Sequence, residues 1–211
     1  VCYRNSYLIF RVFMKGKTVA LLENRMGPQM ADLVRKYGGQ PFCAPALAEV
    51  PDIDTTYISS LLQEWMTNPA KVVIFQTGIG TKALFETTHA LGLTEMLLQL
   101  LSGALVVARG PKPTAVLRSH GVRIDLSAKE PYTSTEVLEA LAPVALMQER
   151  IIVQRYGESN VELDEALEAR GATVIEIPTY RWAMPANTQP RVDLMEALAR
   201  GKIDAVAFTS A

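Results

Sequence analysis

Cysteine is almost missing from this chain. Cys2 and Cys43 are the two among 211 residues, too few for a disulfide framework or a thiolate metal cluster, and they fit a reducing compartment. Histidine is equally scarce. His89 and His120 fall short of most metal sites; His120 precedes Gly121 and reads as a helix-end residue near the negative end of the dipole, and His89 as an ordinary helix position. Neither sign of charge is in excess: 21 Lys and Arg against 22 Asp and Glu leave a formal charge of −1, which gives no electrostatic footprint for nucleic acid. Residues 1–13 (VCYRNSYLIFRVF) are basic and apolar. Arg11 interrupts them, no small-residue cleavage pattern follows, and they are too short to span a bilayer. They read as an N-terminal extension, with Met14 as a natural start and the cytoplasm as the expected location. Neither a G-x-G-x-x-G fingerprint nor a G-x-x-x-x-G-K-[ST] loop occurs, which argues against a nucleotide enzyme.

What is present is ordinary globular material, 49% hydrophobic and 20% charged, in a length suited to one large domain or two small ones. The most telling stretch is residues 72–86, VVIFQTGIGTKALFE. Four apolar residues, Val72 to Phe75, suit a strand buried on both faces. Gln76, Thr77, Gly78, Ile79, Gly80 and Thr81 then form a small polar turn, and Ala83, Leu84 and Phe85 resume at helical spacing. A strand, a Gly/Thr turn and a helix place free backbone N–H groups and hydroxyls at the carboxyl edge of a sheet, where an anion is favoured. The alternative is that Gly78 and Gly80 only permit a tight turn.

The rest of the chain alternates in the same way. Strands are expected at residues 18–23, 104–108, 122–127, 150–154 and 204–208. Helices are expected from Gly27–Pro28 to the Gly38–Gly39 stop, at 56–66, 91–101, 114–120 and 133–141, from an Asn160 cap to Arg170, and at 192–200. Alternation makes the class α/β with parallel sheets. A weak internal repeat is visible. TVALLENR, a helix, GG and a Pro-bearing extended segment resemble RIIVQRYG, a helix, GA and a segment ending in Pro178; VVIFQTG likewise resembles AVAFTSA. The repeat suggests two flavodoxin- or Rossmann-like lobes joined by a two-stranded linker. On this reading residues 14–39 and 179–211 form a discontinuous lobe 1, incomplete at its carboxyl end. Residues 46–171 form lobe 2, and residues 40–45 and 172–178 are the linker strands.

In this order and spacing, the first strand ending at Arg25, the VVIFQTGIGTKALF stretch, ARGPKPTAVLRSHG, LDEALEARGATVIEIPTY ending in Tyr180, and the closing DAVAFTSA resemble the uroporphyrinogen-III synthase family. The resemblance runs from Met14 onward. It implies two α/β lobes with the active site in the cleft between them. It implies a cofactor-independent, metal-free lyase that closes the linear tetrapyrrole hydroxymethylbilane into uroporphyrinogen III, inverting the last pyrrole ring, in heme biosynthesis. No nucleic-acid or membrane partner is implied, and a monomer is expected. A non-catalytic tetrapyrrole- or anion-sensing module of the same fold is the main alternative, and a generic two-lobed small-molecule binder the second.

Such a substrate carries acetate and propionate groups around its rim, so it calls for many mild anion contacts rather than a dense basic patch. The candidates are Thr77, Gly78, Ile79, Gly80 and Thr81; Gly110, Lys112 and Thr114; and Thr209 with Ser210. Arg25 can hold a carboxylate by two points. By resemblance, Tyr180 is the donor near the leaving hydroxyl, since a phenol donates without ionising. The competing readings are structural: Lys112 as a solvated lysine, Arg25 as a cap on its own loop, Tyr180 as a linker tyrosine packed on Trp182.

Overall fold

A computed structural model describes residues 14–155, 157 and 161–208. In chain order the elements are β1 (Thr18–Leu21), α1 (Gly27–Lys36), β2 (Gln40–Cys43), β3 (Ala48–Pro51), α2 (Thr55–Thr67), β4 (Val72–Phe75), α3 (Gly78–Ala90), α4 (Thr94–Gly103) and β5 (Leu105–Ala108). They continue with α5 (Pro111–Ser119), β6 (Leu126–Ser127), α6 (Ser134–Ala140), β7 (Arg150–Arg155), α7 (Val161–Glu168), β8 (Thr173–Pro178), β9 (Tyr180–Ala183), α8 (Gln189–Ala199) and β10 (Ala205–Ala207). The chain divides into two compact units, residues 1–49 with 182–211, and residues 50–181.

The first unit holds a three-stranded sheet in the order β10-β1-β2, with β1 parallel to both neighbours. Side chains alternate along β1 as a pleated strand requires. Val19 and Leu21 pack with Ala31 and Val34 of α1. Ala20 turns to the other face, with Ala44 and Leu194 of α8.

The second unit is built on a five-stranded parallel sheet, β6-β5-β4-β7-β8. β4 lies at its centre and is buried throughout. Val73 and Phe75 join Trp65, Leu84, Leu97 and Leu117 on one face. Val72 and Ile74 join Val137, Leu141, Leu163 and Leu167 on the other. A strand covered on both faces has no solvent side, so its sequence shows an unbroken apolar run. From β4 the chain winds outward through β5 and β6, then returns to lay β7 and β8 on the opposite flank. The strand order therefore reverses between β4 and β7, the position where open α/β sheets form a crevice at their carboxyl ends.

Several expectations are revised. Residues 40–45 and 172–178 are not linker strands: β2 is the edge partner of β1, and β8 the edge partner of β7. Their prolines reflect edge positions, where a missing N–H is tolerated. The passage from one unit to the other falls within β3 and β9, which pair with each other. The helix expected over 91–101 begins at Thr94, because Gly92 turns the chain at φ +69° after α3. The strand expected over 122–127 is reduced to Leu126–Ser127. The N-terminal extension, Asn160, Thr209 and Ser210 lie outside the described residues. No helix among the described residues is long and apolar enough to cross a membrane.

Candidate functional site

The reversal between β4 and β7 is where the second unit gathers its polar groups. Thr77 is extended and caps α3, its hydroxyl oxygen accepting the Gly80 amide at 3.1 Å. Such a cap contributes about 1 kcal/mol. Ahead of it, the amides of Gln76 and Thr77 are taken by the Gln154 Oε1 at 3.2 and 3.1 Å. Among the described residues, the amides of Gly78 and Ile79 meet no acceptor. These two sit half-buried at the positive end of α3, where the helix favours negative charge.

The neighbouring turn adjoins it. A Cβ on Gly78 would lie 3.0 Å from the Lys112 carbonyl oxygen, so glycine is what lets the β4–α3 and β5–α5 turns approach. Lys112 is exposed with no acidic partner among the described residues, which leaves its ammonium available to a carboxylate. Gly110 faces the Tyr132 ring, and a Cβ on it would lie 3.3 Å from that ring. Pro111 and Pro113 supply no amide, so α5 offers an anion fewer donors than α3 does.

Three sequence expectations need correction. Thr81 is fully buried and its hydroxyl donates to the Thr77 carbonyl at 2.7 Å. Thr114 donates to the Gly110 carbonyl at 2.8 Å. Gly80 is buried with its amide already capped. Threonine hydroxyls in a first helical turn reach back to the carbonyl four residues earlier, which spends the donor inside the helix. Arg25 belongs to the first unit and pairs with Glu49 at 3.3 Å, with half of its side chain exposed. A surface pair of this kind is worth little. Tyr180 opens β9 and is 6% exposed.

Sequence reasoning missed Gln154 and Thr179, both essentially buried. The signal lay in the repeat of a polar residue directly after an apolar strand run: Gln76 follows VVIF as Gln154 follows IIV. It also missed a charged cluster on the β7–β8 side. Arg155 meets Asp52 at 2.9 Å and Glu176 at 3.8 Å, and Arg181 meets Asp52 at 3.5 Å. A shallow groove of about 520 Å³ beside it is lined by Asp54, Tyr57, Val174, Glu176 and Pro178. The Tyr57 hydroxyl donates to the Glu176 carbonyl at 2.8 Å. Burial, then the charges of Glu64 and Glu176, push the phenol up from its ordinary value.

Asp164 of α7 joins this cluster. Its carboxyl is pushed up to about 7, first by burial, then by the charge of Glu176 and a hydrogen bond shared with it, and by Glu168, against the opposite pull of Arg155. Between its ordinary value and about 7, the folded chain holds a proton that the unfolded chain has released. Raising the pH across that window therefore removes stability. Asp164→Asn is expected to stabilise by about 1–2 kcal/mol at about pH 8 and by less than half as much at about pH 5, figures discounted for partial exposure. Urea unfolding at the two pH values measures this, and an equal effect at both contradicts it.

Among the described residues, no group of three or more His, Cys, Asp or Glu is placed to hold a metal ion.

Comparison with known proteins gives a consistent picture. The family model for "Uroporphyrinogen-III synthase HemD" matches residues 28–211. The Bacillus subtilis protein YjjA is 29% identical over 196 residues, which cover 93% of this chain and 72% of that protein. A crystal structure of a mutant uroporphyrinogen III synthase from Thermus thermophilus is 28% identical. It superposes with a TM-score of 0.72, covering 92% of this chain and 73% of that one. The wild-type Thermus thermophilus enzyme in a second crystal form is 27% identical with a TM-score of 0.62, covering 92% and 72%.

Proposed function

The chain belongs to the uroporphyrinogen-III synthase family, and from that premise we propose that it closes hydroxymethylbilane into uroporphyrinogen III in the cytoplasm, with inversion of the last pyrrole ring and without a cofactor. The observation that carries the reading is the carboxyl edge of the five-stranded sheet. There the open Gly78 and Ile79 amides adjoin the Lys112 turn across a glycine-sized gap. These are dispersed donors of modest strength, suited to a ring of acetates and propionates.

Each residue has a role on this reading. Gly78, Ile79 and Lys112 receive rim carboxylates, Thr77 fixes the turn that presents the amides, and Arg25 exchanges Glu49 for a carboxylate of the substrate. Thr209 and Ser210 are proposed to contribute hydroxyls. Tyr180 donates a hydrogen bond to the departing hydroxyl, easing formation of the azafulvene cation. The cation closes to the uninverted ring by itself. The protein's main contribution is therefore to hold the end ring so that attack falls on its substituted carbon, giving a spiro intermediate.

Freshly prepared hydroxymethylbilane, incubated with the protein and oxidised to porphyrin, is expected to give the III isomer, where the enzyme-free control gives the I isomer. A matching ratio in both removes the enzymatic reading. Tyr180→Phe is expected to lower the rate about fivefold while keeping the isomer; an unchanged rate moves the donor elsewhere.

A further inference from the structure

We propose that Gln154 is a positioning residue that fills the crevice between β4 and β7 and sets the spacing between the amide turn of residues 76–79 and the strand that starts at Tyr180. The inference rests on the function proposed above and deepens it.

Gln154 is fully buried. Its Oε1 accepts the Gln76 and Thr77 amides. Its Nε2 donates to the Thr179 hydroxyl oxygen at 3.0 Å and to the Arg155 carbonyl. The Thr179 hydroxyl in turn donates to that carbonyl at 2.9 Å. Both lone-pair directions and both N–H groups are thus used, which also fixes which end of the amide is oxygen. Three chain segments meet on this one side chain: the β4–α3 turn, the end of β7, and Thr179 immediately before Tyr180.

The arrangement divides the turn's amides into two pairs. Gln76 and Thr77 point inward to Gln154, and Gly78 and Ile79 stay open. The backbone angle that makes the second pair available is held by the first. Glycine at position 80 belongs to the same device, because a Cβ there would lie 2.0 Å from Gln154 Nε2 and 2.6 Å from the Thr179 hydroxyl oxygen.

If the crevice needed only filling, an apolar side chain would serve at no desolvation cost. A glutamine satisfied at all four positions instead specifies one geometry. Its neutrality also matters. A carboxylate in its place still accepts the two inward amides, yet puts negative charge directly beneath the donors meant for substrate carboxylates.

Two variants separate holding from packing. Gln154→Met conserves volume and removes every hydrogen bond. It is expected to lower kcat about tenfold and to release a measurable share of isomer I. Gln154→Glu, which keeps the acceptor for the two inward amides but loses both Nε2 donor bonds, is expected to share the kcat loss of Gln154→Met and in addition to raise KM about tenfold at about pH 8.5, with a smaller rise at about pH 6.5 as the new carboxyl takes up a proton. Thr179→Val is expected to follow Gln154→Met, and Thr179→Ser, which keeps the hydroxyl, to lose far less. A Gln154→Met protein with reduced melting temperature but wild-type kcat and isomer purity overturns the inference and leaves the function intact. A wild-type protein that yields the enzyme-free isomer ratio overturns the function instead. In that case amide hydrogen exchange decides: at least about tenfold faster exchange at Gln76 and Thr77 in Gln154→Met supports the hold, and unchanged exchange overturns it.

Discussion

Gly80→Ala is expected to be the most damaging single-methyl change in the second unit, lowering stability by about 3–5 kcal/mol and the melting temperature by roughly 10 °C. The added Cβ would sit 2.0 Å from Gln154 Nε2, 2.5 Å from its Cδ and 2.6 Å from the Thr179 hydroxyl oxygen. A flexible side chain usually swings away from such an approach. Gln154 has no free space to enter, being fully buried and bonded at both ends of its amide. Moving it leaves the inward amides of Gln76 and Thr77 without an acceptor, and an orphaned buried donor costs about 1–3 kcal/mol. The same logic predicts strong coupling. In a Gln154→Ala background the two closest approaches and the hydrogen bonds of Gln154 are already gone and the Thr179 hydroxyl oxygen is the close neighbour that remains, so adding Gly80→Ala should cost markedly less than in the wild type. Denaturation of the four proteins of this cycle measures the interaction directly. Additive losses would mean that Gly80 is needed for a reason other than Gln154.

Arg155→Met is the second large effect. The guanidinium is 19% exposed on its side chain and faces Asp52 and Glu176, and it opposes the upward push on Asp164. Without it three carboxyl groups share a partly buried corner with Arg181 as the remaining cation. Removing one partner of a largely buried pair is far costlier than losing a surface pair, and partial exposure places the expected loss at about 2–4 kcal/mol near pH 8. The loss should shrink as the pH falls toward about 5, because Asp164 then carries a proton and its repulsion with Glu176 is relieved. Urea midpoints across that range test the sign. A loss that grows toward acid contradicts the assignment of Arg155 as the charge that holds these acids together.

The core of the second unit was legible because β4 is buried on both faces and spells four apolar residues in a row. α6 begins with Thr133 and Glu136 in a reciprocal cap, and that too reads from spacing alone. What stayed hidden depends on strand order. Gln154 and Thr77 are 77 positions apart and meet because β7 lies beside β4. Periodicity along one strand carries no information about its neighbour. The linker was misplaced for a different reason. Proline suits an edge strand and a crossing segment equally, so Pro41 and Pro178 did not distinguish β2 and β8 from β3 and β9. Thr81 and Thr114 looked like ligand-facing hydroxyls because composition does not reveal that a helical threonine spends its donor on its own backbone.

The account depends on the carboxyl edge of the five-stranded sheet holding carboxylates by main-chain amides. Titrating isotope-labelled protein with hydroxymethylbilane while following backbone amide resonances tests this most directly. Large, saturable shifts at Gly78 and Ile79, with smaller ones at Gln76 and Thr77 already bonded to Gln154, are the expected result. Saturation with Gly78 and Ile79 unmoved, and shifts confined to another face of the sheet, would contradict it.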